Sequence, residues 1–204
     1  MDFFNNKKRV VQRAIVSAVA SSLIAFNSFA STSEDYEKAL TAFNQNEYDE
    51  AYIHLKNSLQ KDPENLAAKI LMGEILLING YLTAAEMEFV EALEMGADIN
   101  LLAEPLGNTW LFLNRYQEIV DFSDLNKLSG DAEREWLMIR ATACIRLQDE
   151  SCALRDYNTI VSRTPNFVPA INGLASIALQ NEDLSKATSL INKAMSLEPK
   201  NAII

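Results

Sequence analysis

The chain is poor in the residues that turns, metal sites and catalytic centres are built from. Its 204 residues include six glycines, five prolines, two cysteines and one histidine. Scarce glycine and proline leave few turns, and no run of strict apolar–polar alternation marks a strand. With one histidine and two cysteines eight residues apart, no zinc site of usual ligand spacing is available. A histidine-based triad would have to use His54, and no nucleophile motif accompanies it. No glycine-rich phosphate loop occurs. The carboxylate pairs Glu86/Glu88 and Glu133/Glu135 read as solvated faces. The expectation is therefore a protein without cofactor and without enzymatic activity.

Basic residues are also in short supply. The net charge is −10, but the first 30 residues hold Lys7, Lys8, Arg9 and Arg13 against Asp2. The rest of the chain carries 14 basic and 27 acidic residues. That balance disfavours nucleic acid, whose phosphates need clustered Lys and Arg. It disfavours anionic lipid for the same reason.

The basic start is followed by an apolar stretch over residues 14–26 and then by "NSFA", with small Ser28 and Ala30. This is the layout of a secretory signal peptide over residues 1–30, cleaved after Ala30. The apolar stretch is short of the roughly 20 residues that span a bilayer. An uncleaved inner-membrane anchor is the alternative. No cysteine lies near the cleavage point, so a lipid anchor is not expected there. The expected location is the periplasm or the cell envelope. An oxidising compartment would permit a disulfide between Cys144 and Cys152.

What the chain does have is a period. Pro63, Pro165 and Pro199 are spaced by 102 and 34 residues, and the first interval is three times the second. Units starting at Thr32, Leu66, Asn100, Arg134 and Val168 share further features. Position eight is small in all five: Ala39, Gly73, Gly107, Ala141 and Ala175. Position twenty is Ala51, Ala85, Ile119, Ala153 and Ala187. Position twenty-four is Leu55, Phe89, Ser123, Tyr157 and Ile191. Small residues at eight and twenty let two helices approach to roughly 8–10 Å. Proline at position thirty-two stops the second helix. Asn46, Gly80 and Asn114, at position fifteen, tolerate the left-handed conformation that closes the first. The period predicts an all-α chain of about five helix–turn–helix repeats over residues 32–65, 66–99, 100–133, 134–167 and 168–201. The third is degenerate. Its "LNKLSGDAEREW" predicts a helix stop at Gly130, a new N-cap at Asp131, and a shorter or tilted second helix. Positions eleven and nineteen of the fourth repeat place Cys144 opposite Cys152 across the hairpin turn.

On this period and these positions the chain resembles the tetratricopeptide-repeat (TPR) family over residues 32 to about 201. The resemblance implies a TPR α-solenoid whose first helices line a groove for a protein or peptide. Positions two, five, nine, twelve and thirteen would face it. They include Tyr36, Leu40, Phe43 and Asn44 in the first repeat, then Ile70, Glu74 and Ile78. Asn108 and Phe112 follow, then Met138 and Arg146, then Asn172 and Gln180. These side chains mix apolar groups with amides and form no Lys/Arg clamp for a C-terminal carboxylate. An extended or helical apolar segment is the expected ligand.

The segments "EYDEAYIHLKNSLQKDPENLAAKILMGEILLINGYLTAAEMEFVEALEMGAD" and "RYQEIVDF" further resemble the TPR-repeat lipoprotein of the PEP-CTERM/exosortase system of Gram-negative bacteria. That resemblance implies a scaffold in protein sorting or exopolysaccharide assembly. An outer-membrane or pilus assembly factor is a second expectation. The N-terminal fragment of a longer TPR-containing enzyme is a third. No solvating helix follows the fifth repeat, which predicts a longer array or self-association through that end.

Overall fold

The computed structural model describes residues 34–198. All regular structure among them is helical. The chain forms two compact units, Met1–Leu113 and Asn114–Ile204. Residues 1–30, where a signal peptide is expected, and Pro199 lie outside the described residues.

The first unit contains α1 (Glu34–Asn44), α2 (Tyr48–Lys61), α3 (Leu66–Ile78), α4 (Leu82–Glu94) and α5 (Ile99–Phe112). Helix α1 packs on α2, α3 on α4, and each hairpin on the next element; α3 also meets α5. Ala39, Ala51, Leu55, Ala85 and Phe89 are fully buried. Burying a Leu or Phe side chain contributes roughly 1.5–3 kcal/mol. The small residues beside them allow that packing. A Cβ on Gly73 would lie 2.5 Å from the Phe89 ring.

The second unit contains α6 (Tyr116–Val120), a 3₁₀ turn (Ser123–Lys127), α7 (Gly130–Arg146), α8 (Glu150–Arg163), α9 (Val168–Gln180) and α10 (Leu184–Leu197). Each helix from α7 through α10 packs on the one before it. A Cβ on Gly173 would lie 2.4 Å from the Tyr157 ring.

The loops follow the sequence closely. Residues at position fifteen all have positive φ: Asn46, Gly80, Asn114, Gln148 and Glu182. The amide of the residue just before each of these continues the helical hydrogen bonding, as Asn79 does to Ile75 at 3.0 Å. Pro63 and Pro165 each follow a residue that has left the helical region, Asp62 (φ −138°, ψ 87°) and Thr164 (φ −129°, ψ 80°). Proline disfavours the helical conformation in its predecessor. Asn65, Asp98, Asp149 and Asp183 cap the next helix by accepting from a backbone amide. Each such cap contributes about 1 kcal/mol.

Two local expectations are corrected. Gly130 does not stop a helix. The preceding helix ends at Val120, and Gly130, with φ +56°, is the first residue of α7. Asp131 is not the N-cap either, since Ser129 occupies that position. The Asp131 carboxylate instead accepts from Arg134 Nη1 at 2.7 Å. The second helix of the third repeat, Tyr116–Val120, is short, as Ser123 and Asp131 suggest. Phe122 takes over the packing instead, its ring 4.2 Å from that of the fully buried Trp136. Pro105 lies inside α5, where it withholds the amide that Leu101 would otherwise receive.

Candidate functional site

The expected groove residues fall into different environments. In the first unit, Phe43 is buried, edge-on to Tyr48 at 5.7 Å, and belongs to the core. Tyr36, Leu40, Ile70, Ile78 and Phe112 are half-buried and pack against that core. Asn108 is half-buried and Asn44 is exposed. Together these residues give α1, α3 and α5 a surface that is apolar at its base.

Glu74, in the middle of α3, is 6% exposed. Burial first, and then the negative charge of Glu104, push its carboxyl up to about 8. Burial likewise raises the Tyr36 hydroxyl, and the Glu74 charge adds to that. Glu74 therefore lies electrostatically between α1 and α5. Lys69 is also buried but serves the other side of α3. It reaches Glu91 at 2.9 Å and Glu88 at 3.9 Å on α4.

In the second unit the expected residues are more open. Met138 is half-buried, while Arg146, Asn172 and Gln180 are exposed, beside an exposed Leu179. In the same unit Arg140 grips Asp156 with two hydrogen bonds of 2.8 and 2.6 Å. Asp156 is 1% exposed.

Cys144 and Cys152 are buried and joined as a disulfide, with Cα atoms 5.8 Å apart. Together with a carboxylate oxygen of Asp156, their sulfurs converge within 4.8 Å. The sulfurs are bonded to each other and Arg140 occupies both Asp156 oxygens, so this cluster has no donor left for a metal ion.

The carboxylate pairs are not the bare solvated faces that the sequence suggests. Glu86 accepts from Trp110 Nε1 at 2.8 Å. Glu133 pairs with Arg163, and Glu135 with Arg134. Helical packing brings these partners close.

One feature had no sequence signal. A shallow cleft of about 480 Å³ lies beside α1 and α2, lined by Glu34, Glu37, Lys38, Glu47, Glu50 and His54 among others. His54 Nε2 is 3.6 Å from Glu50, and its Nδ1 is sealed without a hydrogen-bond partner. The Thr41 hydroxyl in this lining donates to the Glu37 carbonyl at 2.8 Å.

These stacked helical hairpins can be compared with known proteins. A tetratricopeptide repeat protein from Parabacteroides merdae is 22% identical, over 82% of this chain and 67% of that one, with a TM-score of 0.71. The fold is that of TPR proteins. YrrB, a TPR protein with an unusual peptide-binding site, is 17% identical, over 83% of this chain and 88% of that one, with a TM-score of 0.61. PilW, a type IV pilus biogenesis factor, is 18% identical, over 83% of this chain and 79% of that one, with a TM-score of 0.68. No family model and no curated protein matches the sequence. Among the described residues, no helix is long and apolar enough to cross a membrane.

Proposed function

We propose that the protein is a binding scaffold rather than an enzyme, and that its first-helix faces receive an apolar segment of a protein partner. The observation that carries this reading is the α1/α3/α5 face. Tyr36, Leu40, Ile70, Ile78 and Phe112 remain half-buried there, with Asn108 beside them to fix a backbone. Apolar surface with a few placed polar groups is what segment recognition requires. The likeness to YrrB, a TPR protein with an unusual peptide-binding site, supports the same reading.

The finer proposal is export to the envelope after removal of residues 1–30, for a role in exopolysaccharide assembly or PEP-CTERM protein sorting. Pilus assembly is the second reading, supported by the likeness to PilW. Both readings take Cys144 and Cys152 as oxidised in the mature protein. An intact mass starting at Ser31, lighter by two hydrogens before reduction, is expected from the envelope fraction.

Photo-crosslinking in the host tests the binding reading. A photoreactive residue at Ile70 is expected to capture a discrete protein partner. The same residue at Met87, 67% exposed on α4, is expected to capture none. Equal products from both positions, or none from Ile70, would overturn the reading.

A further inference from the structure

The first unit contains a buried carboxyl that no described residue neutralises. Glu74 is 6% exposed. Among the described residues, no hydrogen bond or ion pair reaches its carboxyl. Ile70 and Ile78, one turn to either side, place it on the half-buried face of α3. Its titratable neighbours are the Glu104 carboxylate on α5 and the neutral Tyr36 hydroxyl on α1.

The three helices offer no cation to this group. Their basic residues are Lys38 and Lys69, against Glu34, Asp35, Glu37, Glu74 and Glu104. Lys38 is held by Glu34 at 2.6 Å. Lys69 turns the opposite way, to Glu91 on α4. A leucine or glutamine could fill the same space without the cost of placing an ionisable carboxyl out of water. A positive charge brought from outside would offset that cost.

We infer that Glu74 anchors a subsite for a lysine or arginine side chain of the bound protein segment. This deepens the scaffold reading and rests on it. Leu40, Ile70, Ile78 and Phe112 supply apolar surface for the aliphatic stem and its flanking residues, as long basic side chains require. The charge of this chain is complementary to such a partner. The recognised segment is apolar with one basic residue, rather than apolar throughout.

Selection of a displayed random-peptide library on the full chain tests the inference. The enriched peptides are expected to share one Lys or Arg at a fixed distance from apolar residues. Replacing the Arg of a selected peptide by citrulline, which keeps its shape but not its charge, should raise Kd at least ~10-fold. On Glu74→Gln the same replacement should change Kd by less than about twofold. Glutamine reproduces the shape of a protonated carboxyl, and a melting curve checks that the variant folds. Glu94→Gln, an exposed change on α4, should leave the tenfold difference intact. Enriched peptides without a basic residue would overturn the subsite and leave the binding face standing. So would an equal citrulline effect on wild type and Glu74→Gln, or a loss of the difference in Glu94→Gln. Failure to enrich any peptide would overturn the face and the subsite together.

Discussion

A Cβ on Gly73 would meet Cε1 of Phe89 at 2.5 Å, well inside van der Waals contact. The absence of a side chain on α3 is therefore what seats the ring from α4. The second unit repeats the device between Gly173 on α9 and Tyr157 on α8, at 2.4 Å. Alanine normally stabilises a helix interior by about 1 kcal/mol over glycine. Here overpacking costs roughly 1–3 kcal/mol. Phe89 is fully buried and has nowhere to go, so Gly73→Ala is expected to destabilise by about 1–2 kcal/mol in urea titration. Pairing it with Phe89→Leu should cost less than the two single changes added together.

The hairpin turns hold residues in the left-handed region. Gln148 (φ 62°) and Glu182 (φ 59°) occupy it with ordinary side chains. That conformation costs about 1 kcal/mol for a non-glycine residue. Gln148→Gly and Glu182→Gly are each expected to stabilise by about 0.5 kcal/mol, after glycine's entropy in the unfolded chain is counted. Thermal melts should show small rises for both. A fall would mean that the side chains contribute more than the backbone strain.

Arg140 and Asp156 form a buried ion pair within the α7–α8 hairpin. Removing one partner strands the other charge. Asp156→Ala is expected to cost roughly 3–5 kcal/mol. Arg140→Met with Asp156→Leu should recover most of that loss. A double-mutant cycle by chemical denaturation measures both.

Glu74 should leave a pH signature in stability. Its carboxyl has a usual value of 4.5 and is raised to about 8 in the folded chain. Between those values the folded chain holds the proton more tightly than the unfolded chain. The resulting stabilisation is fully present below pH 4.5 and is lost as the pH rises through about 8. The loss is on the order of 4 kcal/mol. Groups such as Asp149, whose carboxylate is lowered by hydrogen bonds from the Cys152 amide and the Ser151 hydroxyl, act in the acid range instead. Urea midpoints at pH 5.5 and 8.5 should therefore differ less for Glu74→Gln than for wild type. Parallel pH dependence in the two proteins would contradict this assignment.

Much of the fold was legible because it rests on residue size and on chain-terminating chemistry. Ala39, Ala51, Ala85 and Ala153 announce close helix approach by being small at fixed intervals, and each is fully buried. Pro63 and Asn46 announce where helices must end. The start of α7 was misread because Gly130 fits a helix entry as well as an exit, and only the packing of Phe122 on Trp136 distinguishes them. Gln148 and Glu182 carry no left-handed preference, so their conformation is imposed by the hairpin. On the proposed binding face, sequence position alone could name Phe43 and Glu74 but could not tell a core ring from a buried carboxyl. The grip of Arg140 on Asp156 spans 16 residues and depends on the hairpin being closed.

The central claim is that the α1/α3/α5 face carries the partner. The most direct test is affinity purification of the chain from its host as wild type, as Ile70→Asp/Ile78→Asp and as Met87→Asp, with folding of each checked by its melting curve. The account predicts that the partner recovered with wild type is retained by Met87→Asp and lost with the double variant. Retention of the same partner by the folded double variant would contradict it.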